Sequence, residues 1–371
     1  MQLSVPVLPA SASPLEQAKK FLPLRAMEAL GITLAAVLVA MVLFGLFVAL
    51  WGYNPLTVYA TMWKGSFGTW FNAQRSLTQA APLLLTGLCV ALPLRLGMVI
   101  IGGEGAFLLG ALAAAVAGHQ LAGSSPIVSV LGMTLAGGVV GGAWIALSGG
   151  LRQFRGVNET ISSLLLNYVA LNILLHLVYG PLKDPLEPRD PSTHPIGANV
   201  KPFLAEFLGW RVHWGFGIGI AACVALYFLM HHTVVGFASS IVGGNVRAAR
   251  VAGLSISKLT ILICFLGGAC AGIAGMLEMA TGSGKANEKL AVGYGYEGIL
   301  VAFLARGNPL AIIPVAIFLG GIKSGGYLLQ TNPDLKLPNA AIMVLQGFIF
   351  LTVLGAETFY GRFGFFKRKE A

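Results

Sequence analysis

The sequence contains little charge. Asp, Glu, Lys and Arg make up 10% of its 371 residues, while hydrophobic residues make up 56%; a soluble domain carries about 25% charged residues. This composition argues against a water-soluble fold. The chain also lacks the alternating segments of about ten residues that a membrane β-barrel requires. We therefore predict an all-α polytopic membrane protein, because a helix in lipid pairs its own backbone N–H and C=O groups.

Catalytic and metal-binding patterns are missing as well. The four cysteines lie in apolar runs at no metal-binding spacing, so we expect them to be small buried side chains. No Ser/His/Asp set and no pair of catalytic carboxylates stands out, so no catalytic residue, metal or cofactor is predicted. The chain has no G-x-x-x-x-G-K-[ST] phosphate loop, so we do not expect it to hydrolyse ATP itself.

What the sequence does contain is a series of apolar runs, most of about 20 residues, a length that crosses about 30 Å of hydrocarbon. Ten spans are predicted from these runs. The eighth is too short to cross alone, so it is either a half-helix or continuous with its flanks. The predicted spans are 29–51, 77–96, 98–117, 127–147, 161–179, 214–230, 259–280, 298–304, 310–329 and 340–354.

The basic residues predict the orientation. Loop 232–258 holds three basic residues and no acidic one, whereas loop 181–213 balances four basic residues with four acidic ones. The positive-inside rule then places loop 232–258 and both termini on the cytoplasmic side of the membrane. We attribute the net charge of +10 to such basic cytoplasmic loops. The expected partner of these charges is membrane lipid, not nucleic acid. The predicted domains are a cytoplasmic tail at 1–28, a transmembrane domain at 29–356 and a basic cytoplasmic tail at 357–371.

The outer loop 181–213 is rich in proline, which stiffens a loop. It is either a docking platform for an external partner or simply a rigid surface loop, and the sequence leaves both interpretations open.

Two segments resemble each other. GGEGAFLLGAL at 102–112 and GYEGILVAFLA at 295–305 share G-x-E-G followed by an apolar run. They open predicted spans three and eight, and an odd separation of five spans gives the copies opposite orientations. The pattern predicts an inverted repeat, which is common in transporters; chance similarity in glycine-rich apolar sequence is the alternative.

Polar residues inside the spans are candidates for a substrate pathway, because charge at membrane depth is costly and usually marks a path or a pairing. Glu159, Ser163 and Asn167 are spaced i, i+4, i+8 and share one helix face. That face either lines an aqueous pathway or forms helix–helix hydrogen bonds. Asn172 and His176 lie off it and are interpreted as packing or outer-vestibule residues. The pathway candidates are Glu104, Glu159, Ser163, Asn167 and Glu297, and Glu278 is a further intramembrane carboxylate.

The segment VGGNVRAARVAGLSISK at 242–258 is short, basic and rich in alanine. Asn245 is predicted to cap a helix of about two turns, and Gly253 is predicted to end it. Its arginines, three residues apart, share a side and can bind either anionic lipid or a soluble motor that supplies the missing ATP chemistry. We favour the motor. The predicted coupling residues are Asn245, Arg247, Ala248, Ala249, Arg250 and Gly253.

Four stretches resemble a known family, the permease subunits of ABC importers in the branch that handles nucleosides, simple sugars and branched-chain amino acids. The likeness is closest to nucleoside permeases. Ile100 and Ala106 depart from the Asn and Gln that are usual in that family. The stretches are GMVIIGGEGAFLLGA, VNETISSLLLNYVA, GGNVRAARVAGLSISKLTILICFLGGACAGIAGMLEM and GYGYEGILVAFLARGNPLAI.

The resemblance implies a type II ABC importer-like permease in a bacterial cell (inner) membrane, with 29–356 as its permease domain. It also implies three protein partners: an ABC ATPase subunit, a second permease subunit (identical or related) and an extracytoplasmic substrate-binding protein. It also implies that 242–253 is the coupling helix, and that the substrate is a nucleoside, with a sugar or branched-chain amino acid as alternatives. An ion-coupled secondary transporter or channel, favoured by the inverted repeat and the intramembrane glutamates, is the alternative from a different class.

Overall fold

The computed structural model describes residues 14–357 except 188, 189, 199, 206, 208, 211, 334 and 336. Among these residues it contains α-helices, one 3-10 turn at Glu288–Leu290 and no strand beyond two isolated bridges. The all-α prediction is confirmed. The helices are α1 Pro14–Leu50, α2 Pro55–Phe67, α3 Trp70–Leu94, α4 Gly103–Gln120, α5 Pro126–Arg155, α6 Glu159–Tyr179, α7 Val200–Ala205, α8 Trp214–His232, α9 Val234–Gly244, α10 Val246–Val251, α11 Ile256–Thr281, α12 Tyr294–Leu304, α13 Pro309–Thr331 and α14 Asn339–Glu357.

Seven helices of the described chain are long and apolar enough to cross a membrane, so ten spans are not confirmed. Predicted spans three, eight and ten became α4, α12 and α14, which are not among the seven. The sequence also missed α2, a helix of 13 residues. The seven are Gly31–Leu50, Trp70–Leu94, Pro126–Arg155, Glu159–Tyr179, Trp214–His232, Ile256–Thr281 and Pro309–Thr331.

The described residues form two compact units, 14–55 with 343–357 and 56–342. In the first, Phe47 of α1 packs edge-on against Phe348 of α14, with ring centroids 6.4 Å apart. The second contains every candidate site residue. Of the predicted tails, 14–28 is helical and continuous with the first span, and 1–13 and 358–371 lie outside the described residues. The predicted domain boundaries remain predictions.

Helix α11 lies at the centre of the second unit, packed directly against the backbones of α4 and α5. Glycines allow this approach: a Cβ atom on Gly141 would lie 2.6 Å from the carbonyl oxygen of Gly268, and one on Gly272 would clash with Gly137. Small residues at a crossing allow helices in lipid to gain van der Waals contact and weak backbone hydrogen bonds. The same crossing fixes α4, whose Gly110 also faces Gly272.

The two ends of the second unit differ in chemistry. At one end aromatic rings gather near the starts of α3 and α8, where Trp70 packs edge-on against Trp210 at 5.3 Å. Such rings are typical of a membrane interface. At the other end Arg95 donates a hydrogen bond to His231 at 3.0 Å, and the basic segment 242–258 follows. We refer to these as the aromatic end and the basic end; the sequence predicts that the basic end is cytoplasmic.

The glycine crossing can be tested with two alanine substitutions one turn apart on α5. Gly141→Ala should destabilise the protein by about 1–3 kcal/mol, because its new methyl group meets backbone atoms that cannot rotate away. Gly138→Ala is the matched control, since a Cβ atom there would lie an ordinary 3.5 Å from Ile273. Thermal unfolding of both variants in detergent measures the difference, and equal midpoints would contradict the packing described.

Candidate functional site

The first turns of α4 and α12 meet inside the second unit. The carboxylate of Glu104, at the start of α4, accepts hydrogen bonds from the backbone N–H groups of Gly293 at 3.0 Å and Gly295 at 2.6 Å. The first N–H groups of a helix have no partner within that helix, and a negative charge there is stabilised by the helix dipole. Glu104, which is only 4% exposed, therefore caps α12 from another helix.

From this meeting point the two helices run to opposite ends of the unit. α4 ends near the aromatic end, where Gly118 lies against Ile196 of the outer loop. α12 ends near the basic end, where Gly307 lies against Leu94 at the end of α3. The two G-x-E-G segments thus have opposite directions, as an inverted repeat requires. The short eighth run is a half-helix, and it is separated from α13 by a turn at residues 305–308.

Helix α6 holds the non-helical stretch that leads into α4. The hydroxyl of Ser163 accepts a hydrogen bond from Ile101 N–H at 3.0 Å. The amide of Asn167 donates to Ile101 O at 3.0 Å and accepts from Gly105 N–H at 2.8 Å. Both side chains are buried. The sequence leaves two roles open for this face of α6, lining an aqueous pathway or forming helix–helix hydrogen bonds. The contacts of Ser163 and Asn167 are hydrogen bonds that pair backbone groups at and before the start of α4, which lipid cannot pair.

Glu159 lies at the basic end of the same helix. It forms an ion pair with Arg152 across the turn between α5 and α6. Asn158 caps the helix, accepting hydrogen bonds from two backbone N–H groups, and the hydroxyl of Thr160 donates to Val99 O at 2.8 Å. Glu159 therefore stabilises the turn between α5 and α6, while Ser163 and Asn167 lie deeper within the helical bundle.

A second polar cluster joins α12 to α13. The Nζ atom of Lys323 lies 2.9 and 3.0 Å from the two carboxylate oxygens of Glu297 and 3.9 Å from the ring centroid of Tyr294. The hydroxyl of Tyr294 donates to Gln79 of α3 at 2.8 Å, and Glu278 of α11 also interacts with Tyr294. The sequence singles out the intramembrane carboxylates Glu104, Glu278 and Glu297, but Lys323 was not included among the candidate residues. A lone lysine in an apolar span was the available signal.

Other polar side chains on α6 and α12 point away from the protein. Tyr168, Asn172 and His176 are exposed on the outer half of α6 and line a shallow cavity. Tyr296 of α12 is 42% exposed and interacts with Asn167 and Tyr168. We call Tyr168, Asn172, His176 and Tyr296 the polar face. The i, i+4, i+8 spacing of its α6 members was the signal that sequence reasoning missed, because it assigned Asn172 and His176 to packing or a vestibule.

The basic segment forms the predicted short helix. Asn245 accepts hydrogen bonds from Arg247 N–H at 2.9 Å and Ala248 N–H at 3.1 Å, and Gly253 has a φ of +74° just after the helix. The predicted cap and stop are confirmed. Arg247, Ala248 and Arg250 are exposed, whereas Ala249 is fully buried. Ala249 therefore anchors the helix to its own protein and does not belong to the exposed surface, contrary to the expectation.

Broken helices that begin inside an apolar bundle, next to an exposed polar face, are typical of a membrane transport protein. Comparison with known proteins identifies the type. Residues 72–354 match the family described as branched-chain amino acid transport system / permease component. The chain belongs to this family of membrane permease components.

Its relatives are ABC transporter permeases. A glucose ABC transporter permease protein of Haloferax volcanii is 33% identical, covering 89% of this chain and 88% of the relative. A guanosine ABC transporter permease protein of Bacillus subtilis is 28% identical over 92% and 97%. A nucleoside ABC transporter permease protein of Lactococcus lactis is 25% identical over 79% and 83%. No solved structure matches the chain. The predicted family is confirmed.

The Lys323–Glu297 pair can be tested by a double-mutant cycle. Lys323→Met or Glu297→Gln alone should cost about 1–3 kcal/mol of stability, because each leaves without its partner a charged side chain that is only 16–17% exposed. The double variant should lose much less than the sum of the two. Unfolding in detergent measures the four proteins.

The control cycle uses Lys289→Met and Asp190→Asn, since these two paired side chains are 73% and 53% exposed and exposed pairs couple by only about 0.2–1 kcal/mol. Additive losses at Lys323 and Glu297 would show that the two charges do not stabilise each other.

Proposed function

We propose that the chain is the translocation subunit of an ATP-driven importer and that it carries a nucleoside across the membrane. The observation that carries this proposal is the capped helix α10, which presents Arg247 and Arg250 to solvent in a chain without a phosphate loop of its own. A transport subunit of this kind needs a separate ATPase. The charge and exposure of α10 suit it to bind this ATPase. The other basic residues at the same end are proposed to contact membrane lipid.

The polar face is proposed to line the pathway. Polar side chains exposed along a span are unfavourable against lipid and normally face a cavity or another protein. A second permease subunit, identical or related, would cover this face and enclose a polar route. The predicted pathway residues Glu104, Ser163, Asn167, Glu159 and Glu297 then form the framework behind it, since each is bonded within the protein.

The proposed substrate follows from the relatives and from the chemistry of the face. Two relatives are named for guanosine and nucleosides. The rings of Tyr168 and Tyr296 offer flat apolar surface with a polar tip, and Asn172 and His176 add hydrogen-bonding groups. A sugar is the second candidate, because a relative covering most of the chain is named for glucose.

A reconstituted importer tests the proposal. The chain is placed in proteoliposomes with an ABC ATPase, a second permease and a substrate-binding protein encoded by neighbouring genes. Uptake of radiolabelled guanosine should require ATP inside the vesicle and should persist after ionophores collapse all ion gradients. Uptake of glucose instead would favour the sugar alternative. Uptake that follows an ion gradient without ATP would identify a secondary transporter and overturn the proposal.

The docking role of α10 is tested in the same vesicles. Arg247→Glu with Arg250→Glu should abolish ATP-driven uptake without changing thermal stability, because both side chains are exposed. Arg155→Glu, also exposed at the basic end but outside α10, is the matched control and should retain uptake. Normal uptake in the double variant would refute the docking assignment.

The polar face makes a separate prediction. Asn172→Leu and Tyr296→Leu should each lower the maximal uptake rate by about tenfold, since a lost polar contact worth about 1.4 kcal/mol in the crossing state changes a rate by that factor. ATPase activity stimulated by the binding protein should remain. Leu165→Ala is the control, because Leu165 is also exposed on α6 but lies nearer the basic end. Unchanged uptake in both leucine variants would remove the polar face from the pathway.

A further inference from the structure

The loop between α6 and α8 is joined to the connection between α11 and α12. We call residues 184–187 and 190–196 the outer strap, and residues 282–293 the linker. The two segments lie at the aromatic end of the unit. The linker leads without interruption into α12, so whatever holds the linker also positions the start of that half-helix.

Backbone hydrogen bonds connect the two segments. Thr193 N–H donates to Ala286 O at 2.9 Å, and Ala286 N–H donates back to the Thr193 hydroxyl at 2.9 Å. Next to them Ser192 and Asn287 form an isolated antiparallel bridge. Ser192 and Thr193 are almost completely buried. A segment held in this way moves with its partner, because separating them would leave buried N–H and C=O groups unpaired.

Ion pairs reinforce the connection. Lys285 of the linker lies 3.2 Å from a carboxylate oxygen of Asp184 and 2.9 Å from one of Glu187. The Asp184 side chain is only 3% exposed. The Leu186 N–H group, followed by Lys285, holds the pKa of Asp184 below its ordinary value. The carboxylate thus stays charged and paired near neutral pH.

The other end of the linker reaches the candidate site. Gly293 N–H is bonded to Glu104, and Tyr296 of the polar face lies one turn into α12. The Tyr179 hydroxyl at the end of α6 donates to Glu288 of the linker at 3.1 Å. The linker therefore touches both helices that carry the polar face, and the outer strap contacts the linker over residues 284–289.

We propose that the outer strap and the linker form a strut that passes the docking of an extracytoplasmic substrate-binding protein to α12 and so to the polar face. This inference rests on the proposed function. A displacement of the strap is not absorbed at the strap–linker contact, because buried backbone bonds and the Lys285 pairs hold it. It is passed to the Glu104 cap, which is a contact between two helix starts.

The strut is tested in the reconstituted importer. Lys285→Met should reduce the stimulation of ATPase activity by the binding protein at least about fivefold, the lower limit of typical coupling between sites. Basal ATPase activity should stay unchanged. Lys285→Arg, which keeps the charge, should restore the stimulation. Lys289→Met is the matched control and should behave as the unmodified protein, because Lys289 and its partner Asp190 are largely exposed. Full stimulation in Lys285→Met would overturn the strut.

A cross-link decides the question independently if Lys285→Met fails to fold. Directly opposite residues of an antiparallel pair lie about 4.5–5.5 Å apart, within the disulfide range of about 4.4–6.8 Å. Ser192→Cys with Asn287→Cys can therefore be oxidised, and the native cysteines are all buried. If the outer strap and the linker move together as a strut, uptake should continue when the disulfide joins them. Uptake that is lost on oxidation and restored by a reductant would show that the parts must separate, and would refute it.

These results are distinguishable from failure of the proposed function. If the unmodified importer shows no ATP-driven uptake, the proposed function falls. If it transports normally while Lys285→Met is fully stimulated by the binding protein, only the strut falls.

Discussion

The hydrogen bonds from the start of α12 to the carboxylate of Glu104 are the constraint on which the interior depends. A helix that begins inside an apolar bundle exposes N–H groups that neither water nor lipid can pair. A carboxylate from the facing helix pairs two of them and balances the dipole. The glycines at 103 and 295 allow the two backbones to come close enough for this. The N–H groups of Gly293 and Gly295 are thereby already paired with a carboxylate of the protein itself.

The same constraint separates the polar residues of the interior into two groups. Ser163, Asn167 and Glu104 are buried, and their side chains form hydrogen bonds with backbone groups at the starts of α4 and α12. Asn172 and His176 belong to the same α6 but are exposed on its outer half, and the Asn172 amide donates within its own helix, to Tyr168 O at 2.8 Å. Intramembrane polarity alone does not identify a pathway. A polar residue that stabilises an interrupted helix is buried and hydrogen-bonded to backbone groups. A polar residue that can contact a solute is exposed.

Sequence reasoning succeeded where the physics is local. The Asn245 cap, the Gly253 stop and the short eighth run all depend on a few neighbouring residues. It failed where the partner is distant: Glu104 is bonded to a residue 191 positions later, and no periodicity encodes that pairing. Helix α2 was missed because 13 residues are too few for a span. Ala249 was misplaced because a short helix gives no sign of which side its protein covers.

The basic end is connected to the same framework through apolar contact. Ala249 of α10 belongs to one buried cluster with Met98 and Ile100 of the stretch that precedes α4. That stretch is fixed by α6 through Ser163 and ends at the Glu104 cap. Packed side chains and a few hydrogen bonds therefore connect α10 to α12, and closely packed interiors compress little. The departure of Ile100 from the usual asparagine fits this position, since it is fully buried among apolar side chains where an amide would need partners of its own.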